Sequence, residues 1–187
     1  MLMLELNEVL LEGEPNTFSM MAHEGRVTCI TGGTPQRRTQ WLLAMMGLRP
    51  VKSGFISLDG EPLTAKTAPM LRKMMAYVPD TLDVGTVVNV YEPPTVQQVF
   101  ALKANRGLPI SNGLLAEETR RTGATGEKAQ WLAVAMLLKR SIVLIDSPLG
   151  STANYLRIQA EKGLAIVVAT TDGDILSMAD NIYELTE

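Results

Sequence analysis

The chain has 187 residues and a formal net charge of −3, with 46% hydrophobic and 20% charged residues. This length suffices for one α/β domain with a buried core, and the charge balance argues against a general nucleic-acid binder. A single cysteine, Cys29, excludes a disulfide framework and fits a cytoplasmic compartment. Glu5 and Glu8 do not suit a signal peptide, and no apolar run approaches the roughly 20 residues that span a bilayer. We therefore expect a cytoplasmic protein without direct membrane insertion, peripheral to a membrane only through a partner.

The first sixty residues predict a hairpin, a buried strand, a helix and a further strand. The hairpin strands are residues 2–11 and 17–22, separated by the turn Gly13-Glu14-Pro15-Asn16. A short apolar strand from Val27 leads into a small-residue turn, and an amphipathic helix follows it to about Met46. The segment 53–60 predicts another short strand that a turn closes.

The small-residue turn between the strand from Val27 and the following helix has the pattern of a phosphate-binding loop. A strand, a tight turn and a helix aim backbone N–H groups and the positive helix end at one point. The usual motif is G-x-x-x-x-G-K-[ST], and its first glycine and its hydroxyl are present as Gly32 and Thr39. Arg37 replaces the second glycine, Arg38 replaces the lysine, and Pro35 removes one N–H. An ordinary turn that binds nothing is the alternative. The candidate nucleotide-binding residues are Gly32, Gly33, Thr34, Gln36, Arg37, Arg38, Thr39 and Gln40.

The remainder alternates helices with strands, which predicts a mostly parallel sheet flanked by helices. A short helix near residues 70–74 precedes a strand at 75–79, and a helix is predicted from about Pro93 to Ala104. Residues 127–138 form a strongly amphipathic pattern. Residues 141–146 form a continuous apolar strand, typical of burial on both faces of a parallel sheet. The later predicted elements are a short helix, a strand at 165–169, a helix near 173–178 and a strand at 181–185.

Taken in this order, the chain resembles the ATP-binding subunit of an ABC transporter over almost its whole length. Tyr77-Val78-Pro79 resembles the strand end before the Q-loop, and residues 124–128 stand in place of the L-S-G-G-Q signature. Residues 142–146 with Pro148 resemble the Walker B pattern, and residues 169–172 fall where the family has its switch histidine. The resemblance implies a P-loop NTPase fold: an ABC-ATPase-like domain over 1–187 with an N-terminal antiparallel part and a reduced helical subdomain at about 81–125. It also implies Mg-ATP as a cofactor, bound weakly.

The positions that carry catalysis in this family are substituted. Ser147 stands where the family has its catalytic glutamate, and a serine is no general base at neutral pH. Thr171 replaces the switch histidine and Asp80 replaces the Q-loop glutamine, so no catalytic residue is intact. In the part of the first hairpin where the family stacks adenine on an aromatic residue, this chain has Leu10, Leu11 and Glu12. The candidate magnesium ligands are Thr39, Asp146 and Asp80, and the signature-like residues are Thr125, Gly126, Glu127 and Lys128.

Three functional hypotheses remain open. The first is an ATP-binding subunit of an ABC-type transporter, weak or defective in hydrolysis, that acts with a membrane-spanning subunit. The second is a non-catalytic regulatory or scaffolding member of the same fold that pairs with an active homologous ATPase subunit. The third is a P-loop enzyme that uses the pair Arg37 and Arg38 on a different phosphorylated ligand.

Overall fold

A computed structural model describes residues 3–80, 105, 107–108 and 111–186 of the chain. The helix predicted from about Pro93 to Ala104 and most of the predicted subdomain at about 81–125 lie outside these residues. The strands are β1 Met3–Leu11, β2 Phe18–His23, β3 Val27–Thr31, β4 Val51–Leu58, β5 Glu61–Pro62, β6 Met75–Val78, β7 Ile142–Asp146, β8 Ala165–Ala169 and β9 Asn181–Glu184. The helices are α1 Pro35–Met45, α2 Ala68–Leu71, α3 Asn112–Arg121, α4 Glu127–Leu137, α5 Ala153–Glu161 and α6 Gly173–Met178, with 3-10 turns at Arg72–Met74 and Gly150–Thr152.

The described residues form two sheets: a parallel one, as the alternation of helices and strands predicts, and an antiparallel one that contains the predicted hairpin. An antiparallel sheet has the order β2-β1-β4-β5, and a parallel sheet has the order β6-β7-β8-β3-β9. Because the strands of the second sheet all run in one direction, their carboxyl ends meet at a single edge. The loop after β3, Asp146 at the end of β7 and Asp80 just beyond β6 therefore share the carboxyl edge of the parallel sheet.

The parallel sheet is buried on both faces, which explains its continuous apolar strands. Alternate residues of a strand point to opposite faces, so Ile142 and Leu144 join one core while Val143 and Ile145 join the other. The first core contains α1 and the antiparallel sheet, and the second contains α4, α5 and α6.

Helix α1 is anchored by an aromatic contact beneath the loop that it follows. The side chain of Trp41 is fully buried, and its ring centroid lies 4.9 Å from that of Phe18 on β2. An aromatic pair of this kind contributes about 0.5–1.5 kcal/mol beyond area burial. The contact packs the middle of α1 against β2 of the antiparallel sheet and so helps to position the helix that follows the loop.

Helix α3 is the one described helix that the sequence pattern did not predict. Asn112 and Gly113 are typical of a chain break, but here they form the first turn of the helix. Ser111 makes this possible, because its hydroxyl accepts a hydrogen bond from the N–H of Leu114 at 3.1 Å. Ser111 is a residue typical of a helix N-cap, but the Asn-Gly pair after it favours a turn, so the sequence pattern did not predict the helix.

Candidate functional site

The loop between β3 and α1 contains two consecutive glycines with left-handed backbone. Gly32 has φ +76° and Gly33 has φ +56°. A side chain at Gly32 would also collide with the chain beyond β9, since a Cβ there would lie 2.9 Å from the carbonyl oxygen of Leu185. The first glycine of the motif is therefore required by both conformation and space.

The helix that follows begins within the motif, and its first N–H groups have partners in the chain. Thr34 is the N-cap of α1, and its hydroxyl accepts from the N–H of Arg37 at 3.2 Å. The N–H of Arg38 donates to the carbonyl of Thr34 at 3.2 Å, and Pro35 has no N–H to offer. Three of the backbone positions that would cradle a phosphate thus offer no free donor.

Arg38 lies inside the loop rather than above it. Its side chain is only 4% exposed, and Nη1 donates to the carbonyls of Gly32 and Gly33, both at 3.0 Å. Its Nε is buried without a hydrogen-bond partner in the described part of the chain. The guanidinium therefore satisfies the two glycine carbonyls, but one of its own donors is left unsatisfied.

Arg37 turns away from the loop toward the first hairpin. Its guanidinium pairs with both carboxylate oxygens of Glu14, Nη2 lying 2.5 Å from Oε2, and also donates to the carbonyl of Thr186 at 3.1 Å. The Glu14 side chain is nearly buried. The bidentate pair ties the P-loop to the hairpin and to the end of the chain segment after β9.

Thr39 and Asp146 meet directly, as a shared magnesium site would require. The hydroxyl of Thr39 donates to Oδ2 of Asp146 at 2.5 Å, and the hydroxyl of Ser147 donates to Oδ1 at 3.3 Å. Burial raises the pKa of Asp146 and outweighs the opposing effect of these hydrogen bonds. Burial also raises the pKa of Tyr77, and the neighbouring charge of Asp146 adds to the effect. The carboxylate is thus surrounded by hydroxyl groups.

Asp80, the third predicted magnesium ligand, has a different partner. It forms an ion pair with Nζ of Lys128, which also donates to the carbonyl of Ser147 at 3.1 Å. The backbone of Ser147 is left-handed, with φ +47°, and its N–H donates to Ala169 at 2.9 Å. Because Lys128 occupies the last signature-like position, that segment contacts the Q-loop position of its own chain.

The space beside this ion pair is small. A cavity of about 10 Å³ is bordered by Lys128, Asp146 and Ser147. A volume of this size holds about one water molecule and no larger group. Among the described residues, moreover, no three His, Cys, Asp or Glu side chains are grouped closely enough to bind a metal ion.

Most of the other predicted site residues are exposed to solvent. Thr125, Gly126 and Glu127 are exposed at the start of α4, where Gly126 has φ +84° and provides no side-chain cap. The remaining positions are Gln36, exposed on α1; Gln40, whose Oε1 is buried without a described partner; and Thr171, exposed after β8.

The structure also brings in residues that the sequence did not identify. Glu14, Tyr77 and Thr186 all contact predicted site residues. Only Glu14 had a usable signal, because a carboxylate in a turn can pair with an arginine, but nothing in the local pattern indicates which one. The sole histidine, His23, lies at the opposite edge of the parallel sheet with Arg26 and Asp180.

These contacts decide whether the loop, as folded, suits Mg-ATP. Thr39 and Asp146 supply oxygens of the kind that Mg²⁺ prefers. The loop does not suit the phosphates in this arrangement, because Arg38 occupies it and Thr34 takes up the N–H groups that would face them. A nucleotide would first have to displace contacts within the chain.

Comparison with known proteins places this arrangement in a family. The family model described as ABC transporter matches residues 15–150. The chain is 23% identical over 211 residues to the galactose/methyl galactoside import ATP-binding protein MglA 1 of Photobacterium profundum, covering 96% of this chain and 42% of that protein. It therefore spans less than half the length of this curated relative.

Solved structures of similar fold are ATP-binding proteins of ABC transporters. An ATP-binding subunit of an ABC transporter superposes with a TM-score of 0.73 at 19% identity, over 98% of this chain and 85% of the other. CbiO1 from Clostridium perfringens, part of the ABC transporter complex cbiONQ, gives 0.70 at 19% identity, over 98% and 84%. A putative ABC transporter ATP-binding protein from Pyrococcus furiosus gives 0.72 at 12% identity, over 98% and 97%.

Within the described ranges, no helix is both long enough and apolar enough to cross a bilayer. The family model matches well over half of the chain, and the fold agrees with it. The protein therefore belongs to the ABC transporter family and has the P-loop NTPase fold of its ATP-binding subunits.

Proposed function

We propose that this chain is an ATP-binding-subunit-like component of an ABC-type transporter that hydrolyses ATP weakly or not at all. One observation carries the proposal. At the carboxyl edge of the sheet, where water would attack a nucleotide, the residue after Asp146 is Ser147, and its hydroxyl is a donor to that aspartate. A hydroxyl used in this way does not accept a proton from water.

The other acidic groups of this edge do not replace the missing base. Asp146 accepts from Thr39 and Ser147, and Asp80 is paired with Lys128. Thr171 stands at the switch position, while His23 lies at the opposite edge of the sheet. Loss of a general base costs ~10²–10⁴ in rate, and phosphoryl transfer needs several such parts at once.

The membrane partner is inferred from relatives. ABC ATP-binding subunits act with membrane subunits, and the chain resembles one that is part of the cbiONQ complex. We infer that this chain binds a membrane-spanning transporter subunit and is peripheral to the membrane through it. The import of galactose belongs to the named relative, of which this chain spans 42%.

A second candidate function, the scaffolding partner of an active homologous ATPase, has its own support. Glu127 is exposed at the start of α4, in the second-glycine position of the signature. In a sandwich of two such subunits the signature faces the partner's nucleotide, where a carboxylate would repel the phosphates. This chain would then be a poor partner for a copy of itself and would depend on another subunit for turnover.

The third hypothesis, a different phosphorylated ligand held by Arg37 and Arg38, loses its support. The two guanidinium groups do not act as a pair. Arg37 is bound to Glu14 and to the carbonyl of Thr186, whereas Arg38 is buried in the loop.

Phosphate release from millimolar Mg-ATP tests the proposal. The purified chain should release no more phosphate than an Asp146→Asn variant prepared in parallel, which measures any contaminating ATPase. Turnover well above that control would contradict the proposal. Affinity purification from detergent-solubilised membranes then tests the partner: a membrane-spanning ABC subunit is expected, and an accompanying active ATPase subunit would favour the second candidate.

A further inference from the structure

We infer that Arg38 is an internal competitor of nucleotide, holding the P-loop in a self-occupied state that must open before phosphate can bind. This inference deepens the proposed function, since it concerns the same site. In the self-occupied state the Arg38 guanidinium is bound to the carbonyls of Gly32 and Gly33.

The position of the guanidinium is the first support. With 4% of the side chain exposed, the Arg38 charge is withdrawn from solvent into the loop where an anion would bind. Both of its acceptors belong to the loop itself, so the side chain closes a ring of contacts between the start of the motif and its seventh position. Both bonds are made by the same nitrogen, Nη1, so the rest of the guanidinium, including the unpartnered Nε, is bulk that the compact ammonium of a lysine would not place in the loop.

The unpartnered Nε is the second support. A buried donor without a partner costs about 1–3 kcal/mol, so the self-occupied state contains a defect that an acceptor could relieve. If every donor of Arg38 had a partner, the contacts within the loop would only stabilise the fold. Because the buried Nε lacks a partner, an anion can still compete for the guanidinium, although at a reduced affinity.

Neighbouring contacts hold the loop in the same state. Arg37 lies over Gly33, where an added Cβ would stand 3.0 Å from its Nη1, and is fixed to Glu14. Thr34 binds the N–H groups of Arg37 and Arg38. If only a small fraction of molecules has an open loop, the apparent dissociation constant rises by the inverse of that fraction.

Calorimetry with Mg-ATP tests the inference on four proteins: wild type, Arg38→Lys, the double variant Arg37→Gly/Arg38→Lys, and Arg72→Lys. The last is a matched control, since Arg72 caps the other end of α1 through a 3.0 Å bond to the carbonyl of Met46. We expect Arg38→Lys to bind at least tenfold more tightly than wild type, the double variant to bind at least as tightly, and Arg72→Lys to behave as wild type.

Two calorimetric results would overturn the inference. One is wild-type binding at least as tight as that of Arg38→Lys, and the other is absence of binding in every variant, since Arg38 would then not be what limits access. If a variant fails to fold, the wild type alone still tests the inference: because its affinity is reduced, its unfolding temperature should not change in micromolar Mg-ATP, and a clear rise there would contradict a closed loop.

The inference and the proposed function fail in different ways. Tight wild-type binding without phosphate release removes the inference and leaves the proposed function standing. Phosphate release well above the Asp146→Asn control removes the proposed function. Weak binding that Arg38→Lys strengthens, still without turnover, supports both.

Discussion

The two edges of the parallel sheet each hold an aspartate, half-buried Asp180 at one edge and buried Asp146 at the other, and the two have opposite environments. At the amino edge, Asp180 accepts from Arg26 at 2.8 Å, from Arg157 at 2.7 Å and from the N–H of Val27 at 2.8 Å. Although burial opposes ionisation there, these donors outweigh it and lower the pKa of Asp180. At the carboxyl edge, Asp146 has hydroxyl donors, and burial raises its pKa.

The difference lies in the partners: the amino edge pairs its aspartate with two arginines, whereas the carboxyl edge pairs its aspartate with hydroxyl groups. The amino edge satisfies its charges mutually, so it gains free energy of folding from them. The carboxyl edge contains the unpartnered Nε of Arg38, the left-handed Ser147 and an aspartate whose ionised form is disfavoured. Strained backbone and unsatisfied polar groups of this kind are common at functional sites, where the surrounding structure must hold them in place.

The largest expected effect concerns the turn of the P-loop. Gly32→Ala should lower the free energy of unfolding by about 2–4 kcal/mol, because it adds left-handed strain to a Cβ placed 2.9 Å from the Leu185 carbonyl. Urea denaturation measures the change. Gly13→Ala is the matched control, since Gly13 also has a positive φ but has open space around it, and it should cost about 1–2 kcal/mol. Equal losses would mean that the loop is not packed against the end of β9.

The amino edge should respond strongly to loss of its carboxylate charge. Asp180→Asn should destabilise the fold by about 1–3 kcal/mol, because Arg26 and Arg157 lose their charged acceptor. Glu161→Gln removes an exposed partner of the same Arg157 and should change stability by less than about 0.5 kcal/mol. If both variants behave alike, the cluster around Asp180 is not a stabilising one.

The pH dependence of that loss follows from the lowered pKa of Asp180. The stabilisation that the ionised Asp180 carboxylate provides is fully present above the pKa of a carboxyl group in the unfolded chain, about 3.9. It is lost as the pH falls through the lower pKa that Asp180 has in the folded protein. The stability difference between wild type and Asp180→Asn should therefore be constant near neutrality and shrink below about pH 4. Denaturation curves at several pH values measure it, and a difference that persists in acid would be inconsistent with the pairing.

Removing the carboxylate at the carboxyl edge should have the smallest effect. Asp146→Asn should leave stability unchanged or raise it by less than about 1 kcal/mol, because burial already disfavours the charge. The pH dependence also has the opposite sign to that of Asp180. Because the pKa of Asp146 is higher in the folded protein than in the unfolded chain, wild-type stability falls as the pH rises from the unfolded pKa to the folded one. A destabilisation as large as that of Asp180→Asn would show that the Thr39–Asp146 contact is structural.

Local pattern in the sequence was enough to predict the scaffold and the frame of the site. The apolar run at 141–146 identified a doubly buried strand, and the spacing from Gly32 to Thr39 placed the loop at the head of α1. Thr39 and Asp146 were both named as candidate magnesium ligands, and parallel topology brings them together because parallel strands end at one edge. These features follow from short-range periodicity and from the fixed direction of the strands.

Side-chain pairings across long separations were beyond such reasoning. Lys128 and Asp80 are 48 positions apart, and Arg37 and Glu14 are 23 apart, so nothing local indicates the partner of either. The sequence shows that Arg38 replaces the motif lysine, but it does not show that the guanidinium folds back into the loop. Which carbonyls an arginine can reach depends on the backbone path of Gly32 and Gly33.

The state of Arg38 in solution is the most direct test of a self-occupied loop. Arginine Nε–H signals can be recorded by nitrogen-edited NMR and assigned by loss of one signal in Arg38→Lys. We predict a slowly exchanging Nε–H for Arg38 that low-micromolar Mg-ATP does not shift. A rapidly exchanging signal, or one that moves with low-micromolar Mg-ATP, would show an open loop and contradict the account.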